Sequence, residues 1–376
     1  MKIAIPLPSF HKNGGIERHT YELVSNWKDK HEIHIFSYNW IELEGVTFHR
    51  IPGENLPRLI KGPWFLIYTY FLLKKNKFDV IINNGCGQSL IQDVIITASV
   101  HKAWMYSFKK LKLKRFFLNP LHYITLFVEW LNYRFHRYTK IICVSYFIQK
   151  ELCKFHKVSI EDTKVIHLGV NTEEFSPEKR NALRKSSREK YKFYDNDKIL
   201  LFAAHEWKRK GLDSILITLK RLPENYKLLI VGNPSARESV LFKKKVSLMN
   251  LTERVIFGGL CKNMLEAYAV GDIFVFPSTF DAFALVVLEA MSSGLPVITT
   301  STVGASELIN NGKNGFVLND WKDIEEMKKI ILSFFNNDEY YSDISKNART
   351  TALSFTWEKV AKETEYFLEE IVNKNK

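Results

Sequence analysis

Ile273-Phe274-Val275-Phe276-Pro277-Ser278, followed two residues later by Asp281-Ala282-Phe283-Ala284-Leu285-Val286-Val287-Leu288-Glu289-Ala290-Met291, is the stretch on which the reading of this chain turns. The first segment is a short apolar run that breaks at a proline, the pattern of a buried strand. Apolar spacing then becomes helical through Leu285, Leu288 and Glu289, so a helix starts near Ala284. Its first N–H groups have no partner within the helix and face whatever lies beyond the strand. In an open parallel sheet, ligands bind outside the carboxyl ends of the strands. Asp281 and Glu289 bracket that position, which fits an anionic group at a helix N-terminus. Glu289, one turn deeper, is placed to accept hydrogen bonds from hydroxyls.

Outward from this turn, the strand-then-helix alternation recurs along the chain. The first half opens with a strand at residues 2–7, a turn at Asn13-Gly14-Gly15 and a helix through residues 17–27. Strands follow at 32–38 and 46–51, then a helix around 63–75 and the apolar strand at 79–83. Lys140-Ile141-Ile142-Cys143-Val144-Ser145 reads as another strand, with Ser145 or Tyr146 opening a helix. A second series has strands at 198–203, 227–231, 254–257, 272–276 and 296–300. Such alternation predicts parallel α/β sheets, here in two Rossmann-like domains. The expected division is residues 1–169 and 170–356, with an amphipathic C-terminal helix, residues 357–376, packed back on the first domain. Residues 171–197, polar and charged after Phe175-Ser176-Pro177, have the composition of a linker.

With 376 residues, 46% of them hydrophobic, the chain can fill two cores. Cys86, Cys143, Cys153 and Cys261 have no C-x-x-C spacing, and Met1 to Pro6 reads as a strand rather than a signal peptide; the expectation is reduced thiols in a cytoplasmic protein. No run of 18 apolar residues occurs to span a membrane. The net charge is +13, and its distribution is uneven: residues 1–190 hold 30 Lys/Arg against 17 Asp/Glu, whereas residues 191–376 hold 24 of each. A basic first half points to an acidic partner such as a phospholipid surface, a phosphorylated acceptor or a nucleic acid.

Gly14-Gly15-Ile16-Glu17-Arg18, Val165 to Asn171, Lys208-Arg209-Lys210-Gly211, Phe257-Gly258-Gly259, Asp281 to Glu289 and Gly294-Leu295-Pro296-Val297 occur in one order across most of the chain. In this combination the chain resembles the retaining glycosyltransferases of the fourth sequence family, which have the GT-B fold of two Rossmann-like domains facing across a donor/acceptor cleft. The Gly-Gly-Ile-Glu-Arg opening and the Lys-Arg-Lys-Gly loop are most similar to the enzymes that add hexoses to the lipopolysaccharide core. The resemblance implies transfer of a hexosyl group from a nucleotide diphosphate sugar, UDP-sugar favoured over GDP-sugar, with the anomeric configuration kept. It implies neither cofactor nor metal, since cationic groups placed at the developing charge stabilise a leaving diphosphate.

The resemblance also assigns roles. Lys210 contacts the donor diphosphate, and Arg209 takes the place of the arginine that the family often has where this chain has Ala204. Glu289 binds the ribose hydroxyls, since a carboxylate accepts two strong bonds from a diol. Asp281, where most relatives have glutamate, contacts the donor sugar. Ala284 replaces a glycine and, with Leu285 and Val286, offers backbone amides to the phosphates; because alanine disfavours positive φ, the loop is expected in an ordinary αR or β conformation. Gly14 and Gly15 let the first domain's backbone approach the donor, and His101, near the end of a first-domain strand, contacts the transferred sugar.

Between Trp104 and Lys140 lie eleven aromatic residues and eight Lys/Arg, with Glu129 the single acid. That is the composition of an interfacial element on an anionic leaflet. Lys109, Lys110, Lys112, Lys114, Arg115, Phe116 and Phe117 are its candidate membrane-binding residues, joined by the apolar segment from Trp64 to Phe71. The expected partners are a nucleotide sugar, a lipid-linked or glycan acceptor such as a lipopolysaccharide core or polysaccharide precursor, and the inner face of the cytoplasmic membrane. Nucleic acid is not expected, since no recognition module accompanies the charges. Two alternatives stay open: a soluble glycosyltransferase with a small acceptor, which does not need the aromatic basic segment, and a catalytically silent nucleotide-sugar-binding subunit, which the substitutions at Ala204, Asp281 and Ala284 allow.

Overall fold

The computed structural model describes residues 1–85, 88–110, 119–135 and 137–374, with residues 109 and 110 in backbone only. The chain divides into two compact units, Met1–Gly169 with Trp357–Lys376, and Val170–Thr356.

Seven parallel strands form the sheet of the first unit: β1 Lys2–Pro6, β2 Glu32–Ser37, β3 Val46–Arg50, β4 Val80–Asn84, β5 Val94–Thr97, β6 Lys140–Cys143 and β7 Thr163–Val165. Their order is β3-β2-β1-β4-β5-β6-β7, so the winding reverses between β1 and β4, where Ile3 pairs with Val80. The helices are α1 Gly15–Trp27, α2 Arg58–Lys75, α3 His101–Lys110, α4 Pro120–Arg134 and α5 Tyr146–His156. β1 reads as a continuous apolar run because parallel strands are covered on both faces; Ile3, Ala4 and Ile5 are fully buried. Helix α2 begins at Arg58, five residues before the expected start at Pro63. Pro57 supplies the true beginning: its carbonyl accepts the N–H groups of Ile60 and Lys61, both at 2.9 Å, and Pro63 lies inside the helix.

In the second unit, β8 Lys198–Ala203, β9 Tyr226–Val231, β10 Val255–Gly259, β11 Ile273–Phe276, β12 Val297–Thr300 and β13 Phe316–Leu318 are ordered β10-β9-β8-β11-β12-β13, again all parallel. Here the winding reverses between β8 and β11, with Leu200 opposite Ile273. Its helices are α6 Pro177–Lys190, α7 Leu212–Lys220, α8 Ala236–Leu248, α9 Met264–Val270, α10 Leu285–Ser292, α11 Ile324–Phe334 and α12 Asp338–Ala352. Residues 177–190, expected as linker, are therefore helical. Ser176 caps α6 by accepting the Lys179 N–H, and Pro177 stands at its first position, where a proline loses no helical bond. The charges that read as solvated are anchored: Arg184 and Arg188 both pair with the Asp272 carboxylate, and Arg180 donates to the carbonyls of Tyr268 and Gly271.

Helix α13, Trp357–Lys374, belongs to the first unit and lies along α1. The buried Trp27 indole donates to the Ala361 carbonyl at 3.1 Å, and Glu365 meets the His31 ring at 2.8 Å. No helix among the described residues is long and apolar enough to cross a membrane.

Candidate active site

The carboxyl ends of β8 and β11, the two strands at the reversal point of the second sheet, lead into the loops that carry the candidate donor residues. After β8, the chain turns through Lys208, Arg209 and Lys210 to Gly211, which adopts φ 85 and precedes α7. A Cβ at Gly211 would overlap the Pro277 carbonyl, so only glycine lets this loop pass so close to the end of β11. Two further bonds fasten the loops together: the Arg209 carbonyl accepts the Thr279 N–H at 2.9 Å and the Thr279 hydroxyl at 3.0 Å.

This fastening brings Lys210 and Asp281, 71 residues apart in sequence, into a direct ion pair. Their side chains are 12% and 17% exposed, and the Lys210 ammonium also lies 5.3 Å from the centre of the Phe276 ring. Burial lowers the Lys210 pKa, and the attraction of Asp281 only partly offsets it. Burial would raise the Asp281 carboxyl, but the charges of Lys210 and Arg209 outweigh it and hold that carboxyl below its usual range. The shift at Asp281 favours its carboxylate form, the form that Lys210 pairs with. Arg209, only 9% exposed, is braced within the loop: its guanidinium pairs with the Glu206 carboxylate and donates to the Phe280 carbonyl. Ala204 takes part through its backbone: its carbonyl accepts the Trp207 indole N–H and abuts Gly232.

The loop after β11 then turns into α10, with Ala284 as the residue preceding it. Contrary to the expectation of an ordinary conformation, Ala284 lies at φ 71, ψ 78, in the left-handed region. The cause is tertiary. Asp281 bridges to the segment after β12, donating its N–H to the Thr302 carbonyl and accepting the Gly304 N–H, both at 3.0 Å, and the Phe283 carbonyl accepts the Ala305 N–H at 2.8 Å. Ala284 is the one residue between the last of these bonds and the first residue of α10, and it takes the left-handed conformation that joins them. Leu285 and Val286 open α10, so their N–H groups belong to its unsatisfied first turn, and both are only half-buried. Glu289 sits one turn further along, 4% exposed, and accepts the Tyr268 hydroxyl at 2.8 Å. Lys210, Asp281 and the start of α10 are thereby brought together on one end of one sheet, a positively polarised terminus beside a buried cation.

In the first unit, Gly14 has φ 97 immediately before α1, and a Cβ there would stand 2.5 Å from the Glu17 carboxylate, whereas one at Gly15 would meet nothing within 4 Å. The backbone requires Gly14; Gly15 leaves open space. His101 is the first residue of α3, just past β5. Its ring contacts the His122 ring across 3.2 Å, and burial lowers its pKa, Glu129 notwithstanding. It is placed by Glu129, a residue singled out in the sequence as the lone acid of its segment but given no role. The Glu129 carboxylate, 3% exposed as a residue, accepts the backbone N–H of His101 at 2.5 Å and of Lys102 at 3.4 Å, and meets the His156 ring at 3.2 Å. One acid on α4 thus ties down the beginning of α3 and the end of α5.

Of the candidate membrane-binding residues, Lys112, Lys114, Arg115, Phe116 and Phe117 lie outside the described residues, and Lys109 and Lys110 are described in backbone only. Among the described residues of the first unit, exposed apolar side chains fall on helical stripes: Tyr123, Phe127 and Trp130 on α4, and Ile60, Trp64, Ile67 and Phe71 on α2.

Comparison with known proteins agrees with this geometry. The model of "Glycosyltransferase Family 4" matches residues 13–174, and that of "Glycosyl transferases group 1" matches residues 184–351. The chain is 25% identical over 333 residues to an Escherichia coli UDP-Gal:alpha-D-GlcNAc-diphosphoundecaprenol alpha-1,3-galactosyltransferase, covering 84% of this chain and 82% of that one. It is 21% identical over 359 residues to the lipopolysaccharide glucosyltransferase WaaG of Escherichia coli K12, covering 93% of each. A WaaG crystal structure superposes with a TM-score of 0.80 at 18% identity, over 97% of this chain and 99% of that one. Anabaena Alr3699/HepE in complex with UDP and glucose superposes with a TM-score of 0.75 at 19% identity, over 98% and 99%. The fold is GT-B.

Proposed function

Since the chain belongs to the group 1 glycosyltransferases of the GT-B fold, we propose that it transfers a hexosyl group from a UDP-sugar to a lipid-linked glycan acceptor, with retention of configuration and without a metal. The observation that carries this reading is the Lys210–Asp281 pair at the start of α10. A diphosphate seated there meets a buried ammonium and the amides of Leu285 and Val286, groups fixed before charge develops on the leaving oxygen. Glu289 holds the ribose, Asp281 contacts the transferred sugar, and Arg209 keeps the Asp281 loop in place through the Phe280 carbonyl. His101 keeps the sugar-contacting role that the resemblance implies. For retention, the leaving phosphate takes the acceptor proton on the face that it departs from.

A lipid-linked acceptor is supported by the diphosphoundecaprenol substrate in the name of the galactosyltransferase relative and by the lipopolysaccharide substrate of WaaG. The exposed stripes on α2 and α4, in the half of the chain with the whole charge excess, suit attachment to the inner leaflet as a peripheral protein.

The test is donor turnover without acceptor, with UDP- and GDP-sugars first screened by thermal stabilisation. A donor at a hundred times its Kd adds roughly 2.7 kcal/mol. Lys210→Ala and Glu289→Ala are expected to lower turnover at least tenfold. Unchanged turnover in both variants would show the assignment to be wrong.

A further inference from the structure

A cavity of about 280 Å3 opens at the carboxyl ends of β1 and β2 in the first unit, and none of the residues assigned above lines it. Its apolar wall is made by Pro8, Tyr38, Phe65 and Leu121, and its polar side by Gln88 with Arg58 and Lys61 from the first turns of α2. The wall is rigid. Tyr38 and Phe65 belong to the hydrophobic core with Ala4, Phe36 and Ile51, and the Tyr38 hydroxyl is anchored on the Lys61 carbonyl at 2.8 Å. The Lys61 ammonium lies 4.8 Å from the Tyr38 ring centre, and among the described residues neither Lys61 nor Arg58 has a carboxylate partner. Two uncompensated cations on one side of an apolar hollow favour an anion with an apolar continuation.

Gly62 makes the case more specific. It lies within α2, where glycine destabilises a helix relative to alanine, and it also lines the cavity. A Cβ built on it meets nothing within 4 Å, so neither crowding nor an unusual φ requires glycine there. What the missing side chain leaves is space in the hollow between Arg58 and Phe65.

We infer that this cavity binds a phosphate- or diphosphate-bearing amphiphile, its phosphate held by Arg58 and Lys61 and its first carbons against Tyr38, Phe65 and Leu121. The inference rests on the proposed function, for which it supplies the acceptor's anchoring site. The outward stripe of α2, with Ile60 53% and Phe71 66% exposed, puts the same helix in position to meet the membrane from which such a ligand comes.

Dodecyl phosphate, below its micellar concentration, is the probe; inorganic phosphate and dodecyl maltoside are its two halves. Binding is measured by calorimetry on the full chain. Dodecyl phosphate is expected to bind at least tenfold more tightly than either. Gly62→Leu fills the space with a better helix former, and Arg58→Ser with Lys61→Ser removes the charge; each is expected to weaken dodecyl phosphate binding tenfold or more. Gly62→Ala, which folds at least as well, is the control. Wild-type affinity in Gly62→Leu would overturn the site. Equal affinity for inorganic phosphate would give the cavity to a free anion and overturn the amphiphile, as would equal affinity for the neutral maltoside. Donor turnover reads the proposed function separately, so failure of Lys210→Ala and Glu289→Ala to alter turnover would remove that function without touching the binding result.

Discussion

Ala284→Gly should stabilise the protein, although alanine-to-glycine changes ordinarily do the opposite. At φ 71, ψ 78 the alanine Cβ crowds its own backbone, at a cost of roughly 1–2 kcal/mol for an L-residue in the left-handed region. Glycine removes that cost but gives the unfolded chain more freedom, which takes back about 0.4–1 kcal/mol. The balance is a gain of roughly 0.5–1 kcal/mol. No burial is lost beyond one methyl group, and the bonds that impose the turn, Asp281 to Thr302 and Ala305 to Phe283, are made by the backbone and survive the change. Ala282, two residues earlier, is the internal control: its φ is not positive, so Ala282→Gly loses about 0.4–1 kcal/mol with nothing to offset it. Urea unfolding followed by tryptophan fluorescence, with the slope of each transition compared between variants, measures both changes. Two shifts of opposite sign are expected. If Ala284→Gly is destabilised as Ala282→Gly is, the argument from backbone strain is refuted.

Two other outcomes follow from buried groups of the first unit. Burial pushes His19 of α1 down to about 4, against an ordinary value of 6.5. The unfolded chain therefore takes up the proton first, so the stability associated with neutral His19 is intact above pH 6.5, falls as the pH drops from 6.5 to 4, and levels off below; the full loss is about 3 kcal/mol. Urea midpoints across that window should slope less in His19→Leu than in the wild type, and parallel slopes would contradict the reading. Glu129→Gln keeps the shape of the side chain but leaves one oxygen to serve the His101 and Lys102 amides. A loss of about 1–3 kcal/mol is expected, with faster hydrogen exchange at those two amides. Exchange at the wild-type rate would mean that Glu129 does not hold the start of α3.

The two parallel sheets were legible because their central strands, such as Lys2–Pro6 and Lys198–Ala203, are continuous apolar runs, and because Gly211 and Ser145 mark turns that depend on local backbone needs. What escaped the sequence depends on partners remote along the chain. Residues 177–190 look like a charged linker until Asp272, 84 residues beyond Arg188, is seen to gather Arg184 and Arg188 into a buried cluster. The conformation of Ala284 is imposed by hydrogen bonds to residues 302–305, and local propensity argues against it. β7 and β13, of three residues each, are too short to show any period. At the candidate site, spacing alone placed Asp281 and Glu289 on a loop and the helix after it. The pairing of Asp281 with Lys210 needed the fold, since it arises from the approach of Gly211 to Pro277. Glu129 was conspicuous as a lone acid, but its bonds are to backbone N–H groups, which side-chain identity does not reveal.

The return of α13 to the first unit fixes an order of events during synthesis. Residues 170–356 must all leave the ribosome before Trp357 can reach α1. Nascent chains generally complete their N-terminal domain first. Here the second unit closes while α1 is still waiting, with the Trp27 indole N–H short of the Ala361 carbonyl and His31 short of Glu365. Throughout that interval the apolar side of α1 around Leu23 and Trp27 is open to the holdase chaperones that meet a growing chain, and a ribosome halted anywhere in the second unit releases a protein whose first unit is unfinished.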